Sequence, residues 1–403
     1  MSGFAETEQS NAISAPVTDA NRVLGTPSRL PTNDTLVALE RHLMRFDAFL
    51  FTLVTKCAIL DTMTAQNLSF NGHRIVHPVE NCTRELAAID VRVPIRVDDA
   101  HRRGISTYAT SSRGSMDRQV FGVRMSDSRQ ETLYAPAWAD STWIEIHERA
   151  RAVQLVRPES VLVGAAAGVL LGFALPRRLE LAARERIDIA VPTDLPVIRR
   201  QGIRGRRFSH LAPADFFGVR VDSVTNVIAS LAGDLTEYEA TAVLDGVVGP
   251  FRSSPVMSRT EIADALHAHL RYRGKRVLMS ALARARDNVR SPRETTLRLQ
   301  IVDAGLPEPR IAAPVHLRET PSPVHPDLSY EDEMIAIEYD GRGHWNEDQR
   351  TYDSTRYAQL SAAGWLVLTV TKQTDMGQWL DALRKHLGAR RGLAAIRRLR
   401  RSA

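Results

Sequence analysis

Between positions 325 and 344 the chain reads His325-Pro326-Asp327-Leu328-Ser329-Tyr330, then Glu331-Asp332-Glu333, then Met334-Ile335-Ala336-Ile337-Glu338-Tyr339-Asp340-Gly341, with His344 following. This run limits what the chain can fold into more than any other. Two strand-length apolar segments joined by a short acidic turn predict a β-hairpin. Strand side chains alternate faces, so Glu338 and Asp340 point the same way, roughly 7 Å apart. Asp327 arrives from the preceding strand. Carboxylates gathered this closely repel, and burying them is costly unless a cation sits among them. Hard oxygen donors suit Mg²⁺, or Mn²⁺ in its place.

The bulk of the chain fits a soluble α/β protein of several domains. Its 403 residues predict two or three domains. Hydrophobic content of 43% and charged content of 25% are ordinary for globular proteins. A net charge of +6 leans toward a polyanionic partner. Cys57 and Cys82 are the only cysteines, which argues against structural zinc and a disulfide framework and suits a reducing cytoplasm. Residues 1–35 are rich in small polar residues, lack a secretory pattern and read as disordered. The apolar runs at 49–55 and 161–175 are too short to span a bilayer, so no membrane partner is expected.

Residues 36–89 open with a helical stripe of Leu36, Leu39, Leu43, Phe46, Phe49, Leu50 and Leu53, and indicate no chemistry. Residues 90–135 predict a winged helix-turn-helix: a short helix closed by Gly104, a second capped by Ser106, then a hairpin. Thr107, Thr110, Ser111 and Arg113 would face a DNA groove, with Arg118 and Arg124 on phosphates. A small helical hairpin with solvated arginines fits the same residues. Residues 136–287 read as an α/β middle region. Its basic cluster of Arg199, Arg200, Arg204, Arg206 and Arg207 fits a phosphate-tracking ridge or a solvated hairpin.

Residues 291–388 predict the order αβββαβ. Ser291, Pro292 and Glu294 form a helix start in which Glu294 completes a capping box. Glu294 also heads the apolar face of Leu297, Ile301 and Ala304, which places it over the sheet toward Asp327. His344 is either a surface histidine or a general base.

These pieces together resemble the PD-(D/E)XK restriction-endonuclease-like superfamily. The closest likeness is to small domains of the very-short-patch mismatch-repair endonuclease type, often found at the C-terminus of actinobacterial proteins. The matching residues are Ser291-Pro292-Arg293-Glu294 with Leu297, Gly305-Leu306-Pro307, Pro326-Asp327, Ile337-Glu338-Tyr339-Asp340-Gly341 with His344, Asp353 with Arg356 and Leu360, and Gly364-Trp365-Leu366-Val367-Leu368. The upstream region is similar, more weakly, to abortive-infection-type antitoxins.

The resemblance implies Mg²⁺-dependent hydrolysis of DNA phosphodiesters. Asp327 and Glu338 would hold the metal, helped by Glu294. Asp340 stands where many relatives carry lysine, and His344 would be the base. Thr369 stands where relatives commonly carry arginine, and an i,i+3 ion pair explains Asp353 and Arg356 equally well. The basic tail 389–403, with Arg397 and Arg398, suits DNA backbone or a frayed terminus. A homodimer and a protein partner in a defence system are compatible with the resemblance. The alternative is a DNA-binding regulator, antitoxin-like, whose nuclease-shaped domain is inactive.

Overall fold

The computed structural model describes residues 69–70, 73–74 and 86–402, except 112–113, 115, 121, 252–254, 269–271, 318–321 and 341–346. The chain divides into two units, Met1–Gln66 and Asn67–Ala403. The disordered segment expected over 1–35 lies outside the described residues, as does the helical stripe expected from 36 onward. The architecture is mixed α/β, with several sheets and twelve helices among the described residues.

A hairpin of β1 (Ser69–Phe70) and β2 (His73–Arg74) precedes a small module. The module runs β3 (Leu86–Arg92), β4 (Ile95–Arg96), α1 (Val97–Arg102), α2 (Thr107–Thr110), β5 (Asp117–Val120), β6 (Val123–Met125) and β7 (Gln130–Pro136). Ser106 caps α2 by accepting the Ala109 N–H, and Gly104 makes the turn at φ 79°. β3 pairs with β7, while β4, β6 and β5 form a separate three-stranded sheet. Arg92 ties the module to the next layer: its backbone N–H and guanidinium donate to the buried Glu148 carboxylate at 2.7–2.9 Å.

The middle region follows in the order α3 (Ser141–Val156), β8 (Val161–Leu162), α4 (Gly164–Leu170), α5 (Arg177–Glu185), β9 (Ile187–Pro192), β10 (Ile203–Phe208), β11 (Ala214–Phe216), β12 (Val219–Val221), α6 (Val224–Leu231), α7 (Glu237–Val248), α8 (Arg259–Ala268) and α9 (Lys275–Arg284). The apolar run 161–175 splits into β8 and α4. Gly164 makes the break at φ +61°, where an added Cβ would lie 2.8 Å from Asp188 Oδ2. The five-stranded sheet runs β10-β9-β8-β12-β11, mixed in direction. One continuous core joins this sheet to the helices, from Val123 to Ala285.

The C-terminal region is α10 (Pro292–Asp303), β13 (Arg310–Ile311), β14 (Leu328–Tyr330), β15 (Ile335–Asp340), α11 (Glu347–Ala362), β16 (Leu366–Thr371) and α12 (Met376–Ser402). The sheet order is β13-β14-β15-β16, antiparallel except for the parallel β15–β16 pair. Alternation along β15 assigns its two faces. Ile335 and Ile337 pack with Leu297, Ile301, Leu383 and Leu387 of α10 and α12. Ala336 packs with Leu360 of α11. The tail is not a separate element: α12 continues without a break to Ser402. Arg390 helps hold it, donating to the carbonyls of Glu333 and Met334 at 3.1 and 3.0 Å.

α10 is fastened to the middle region by a buried ion pair that the sequence did not suggest. Arg298 Nη2 lies 3.2 Å from Asp245 Oδ2, and both side chains are 1% exposed. Asp245 also accepts from the Arg286 N–H at 2.7 Å and the Thr295 hydroxyl at 2.8 Å. Arg298 donates further to Glu308 and to the Arg284 carbonyl, each at 2.9 Å.

Candidate active site

The carboxylates lie near the N-terminal end of α10, the entry to β14 and the C-terminal end of β15. Ser291 caps α10 by accepting the Glu294 N–H at 3.2 Å. The expected capping box is only half made. Glu294 Oε2 reaches past the cap residue and accepts the Arg290 N–H at 2.9 Å. The Glu294 side chain is 6% exposed. Burial pushes its carboxyl up to about 7, and the nearby Asp327 charge pushes the same way.

Asp327 stands at the entry to β14. Its Oδ2 accepts the Tyr339 N–H at 2.8 Å, which ties it across the hairpin to β15. The β14–β15 register pairs Leu328 with Ile337. Continued by one residue, it sets Asp327 opposite Glu338, so the two carboxylates leave the sheet on one face.

Glu338 is 1% exposed and faces α11. Arg356 of α11 donates from Nη2 to Glu338 Oε2 at 2.8 Å. Glu338 is in register with Thr369 of β16, so the guanidinium comes from the helix rather than the neighbouring strand. Asp340, half-buried and in register with Thr371, lies two residues on and on the same face.

Two carboxylates, Asp327 and Glu338, therefore share a face, while Glu294 approaches Asp327 from α10, on the other side of β15. Among the described residues no three His, Cys, Asp or Glu side chains gather as a metal-holding group. His344 lies outside the described residues. The donor set still suits a hard divalent ion in kind, because Mg²⁺ typically takes one or two protein carboxylates and completes its shell with water and substrate phosphate.

Arg293, next to Glu294 but exposed, was not singled out as a site residue in the sequence. Its Nη1 donates to the Tyr339 hydroxyl at 2.5 Å, and its guanidinium lies 4.9 Å from the Tyr339 ring centre. It brings a positive charge to the α10 side of β15, beside Tyr339. Its position directly before Glu294 at the helix start was the one available signal.

The residues expected to meet DNA are placed unequally. Thr107 is exposed on α2, and the neighbouring Tyr108 is 70% exposed. Thr110 is buried, with its hydroxyl 2.9 Å from His101 Nε2. Arg124 is turned inward rather than toward phosphate: it donates to the Thr110 carbonyl at 2.5 Å and to the Val123 carbonyl at 2.9 Å. It closes the one-turn helix α2 by satisfying an end carbonyl.

Arg204 and Arg206 are held by the buried Asp188, with Arg204 Nη2 at 2.9 Å and Arg206 Nε at 3.5 Å. The ridge is thus partly neutralised from within, while Arg207 is exposed on the opposite face of β10. Arg113 and the side chains of Arg118, Arg397 and Arg398 lie outside the described residues.

Two curated relatives, uncharacterized proteins of Mycobacterium tuberculosis strains CDC 1551 / Oshkosh and ATCC 25618 / H37Rv, resemble the chain. Each is 26% identical over 201 residues, spanning 46% of this chain and 71% of the relative. No family model and no solved structure matches the chain. No helix among the described residues is long and apolar enough to cross a membrane.

Proposed function

We propose that the C-terminal region hydrolyses DNA phosphodiester bonds with a divalent metal ion, and that the upstream helix-turn-helix module brings it to DNA. The observation that carries this reading is the placement of Asp327 opposite Glu338, beside the buried Glu294. Three carboxylates are kept near the end of one apolar hairpin, and two of them, Glu294 and Glu338, are buried where aliphatic residues would be cheaper. Asp327 and Glu338 would hold Mg²⁺ or Mn²⁺, with Glu294 on the Asp327 side. A bound divalent ion polarises a phosphate oxygen and lowers the pKa of its water.

The chain's own contributions are positional. The Tyr339 N–H fixes Asp327. Glu294, protonated part of the time near neutral pH, is suited to relay a proton close to Asp327. Arg293, exposed beside it, offers a guanidinium to a substrate phosphate and stands in function for the lysine that Asp340 replaces.

One observation favours the second reading, a DNA-binding regulator with an inactive nuclease-shaped domain. Arg356 already neutralises Glu338, so the site has a cation of its own. Plasmid cleavage separates the two. Purified protein with Mg²⁺ or Mn²⁺ is expected to nick or linearise supercoiled DNA, and EDTA, Asp327→Ala and Glu338→Ala each to abolish it. DNA binding that is salt-sensitive and metal-independent, with no cleavage of any DNA form, would establish the regulator instead.

A further inference from the structure

Away from the carboxylates, the module and the middle region enclose a cleft of about 600 Å³ whose walls carry four arginines. Arg96 ends β4, Arg157 follows α3, and Arg199 and Arg200 lie between β9 and β10. The floor is aliphatic, from α3 and the 197–203 segment. Asp98 is the sole carboxylate among the lining residues.

Arg157 is fixed in place, donating to Glu159 at 2.6 Å and to the Pro196 carbonyl at 3.3 Å. The side chains of Arg96 and Arg199 make no hydrogen bond or ion pair with a described residue, and both residues are exposed. This differs from Arg204 and Arg206, which Asp188 neutralises. Like charges collected around one concavity repel each other, and that repulsion is relieved when an anion enters. Guanidinium groups present a planar fork that matches phosphate oxygens. The cleft also opens beside Gly122, in the turn of the β5–β6 hairpin, so it is continuous with the module expected to approach DNA.

We propose that this cleft binds the phosphate groups of a nucleic-acid backbone, with Arg96 and Arg199 as its contacting groups. The proposal rests on DNA being the partner, as in the reading above, but not on chemistry at Asp327 and Glu338. It also places the backbone contact on Arg96 and Arg199 rather than on Arg124, which is turned inward.

The test is duplex binding by the full chain in EDTA, followed by fluorescence anisotropy across a salt series. The Arg96→Gln/Arg199→Gln double variant is expected to bind at least ten-fold more weakly near 0.1 M salt. Its log–log salt slope should fall by about 2, since each lost phosphate contact removes ~0.9. Arg177→Gln, at an exposed arginine that does not line the cleft, should bind as wild type, and unchanged thermal unfolding of the double variant confirms that it is folded.

Three results overturn the proposal: wild-type affinity and slope in the double variant, no duplex binding by the wild-type chain, or displacement of duplex by micromolar AMP or inorganic phosphate. The last would make the cleft a small-ligand site. Loss of cleavage in Asp327→Ala with cleft binding intact bears only on the nuclease reading, so the two proposals fail separately.

Discussion

Glu294 and Arg298 sit four residues apart on one helix, the spacing at which a glutamate and an arginine would pair on an isolated helix. Here they part company. Arg298 turns to the middle region and meets Asp245, where each charge has an opposite partner; Thr295, the Arg286 N–H and Glu308 add to the pair, and Arg298 Nε alone of its nitrogens is without a hydrogen bond. Glu294 turns to the hairpin, takes one backbone N–H and faces another carboxylate. The first group is organised as a fastener. The second keeps acidic groups together at a cost in stability, which is the pattern expected of a site that works on something else.

The comparison breaks most visibly at the fastener. Arg298→Ala leaves Asp245 buried without its cation and is expected to cost about 3–5 kcal/mol. Chemical denaturation would measure this, and a loss under about 1 kcal/mol would contradict the assignment.

A pH series sharpens the contrast between polar groups that are satisfied and those that are not. His147 is buried in the middle core, stacked on Trp143, and burial lowers its pKa from 6.5 to about 4. Between those values the unfolded state binds the extra proton, so stability is intact above pH 6.5 and falls as pH drops toward 4. The total is roughly 3 kcal/mol. His147→Gln should flatten that acid limb in thermal unfolding.

Glu294 has the opposite sign. Its folded pKa of about 7 lies above the unfolded 4.5, so the native state keeps the proton and stability falls as pH rises from 4.5 through 7. Glu294→Gln removes that penalty. It should raise stability at pH 8 by about 1–3 kcal/mol while lowering DNA cleavage, whereas equal or reduced stability at pH 8 would remove the contrast with Asp245. The smallest effect belongs to the rim of the fastener. Arg286→Gln loses a half-exposed pair with Glu308 and should cost no more than about 1 kcal/mol by denaturation.

Local patterns in the sequence carried much of the architecture. Ser106, Asp140, Ser223 and Ser291 cap helices where hydroxyl or carboxylate side chains precede apolar periodicity. The alternation in 334–340 produced β15, and Glu294 proved buried near Asp327, as its place on the apolar stripe implied. One local signal went unread, and the rest of what was missed depends on long-range contacts. The helix Glu237–Val248 went unassigned although Thr236 and Glu239 form a full capping box at its start. The first strand of the predicted αβββαβ order is only Arg310–Ile311, with one further bridge between Val315 and Val324.

No spacing rule links Arg356 to Glu338, or Arg298 to Asp245 across 53 positions. Such pairs are set by which elements pack together, and the same holds for Arg124. Its alternating position in a hairpin suggested a phosphate contact, but the adjacent one-turn helix needed an end carbonyl satisfied.

The central claim is that Asp327 and Glu338 form a divalent-ion site and Asp245 does not. Calorimetric titration of the full chain with Mn²⁺ tests this most directly. The account predicts one site in wild type, weakened at least ten-fold by Asp327→Ala and by Glu338→Ala, and unaffected by Arg286→Gln. Absence of binding in wild type, or equal binding in all four proteins, would contradict it and leave Arg356 as the permanent counter-ion of Glu338.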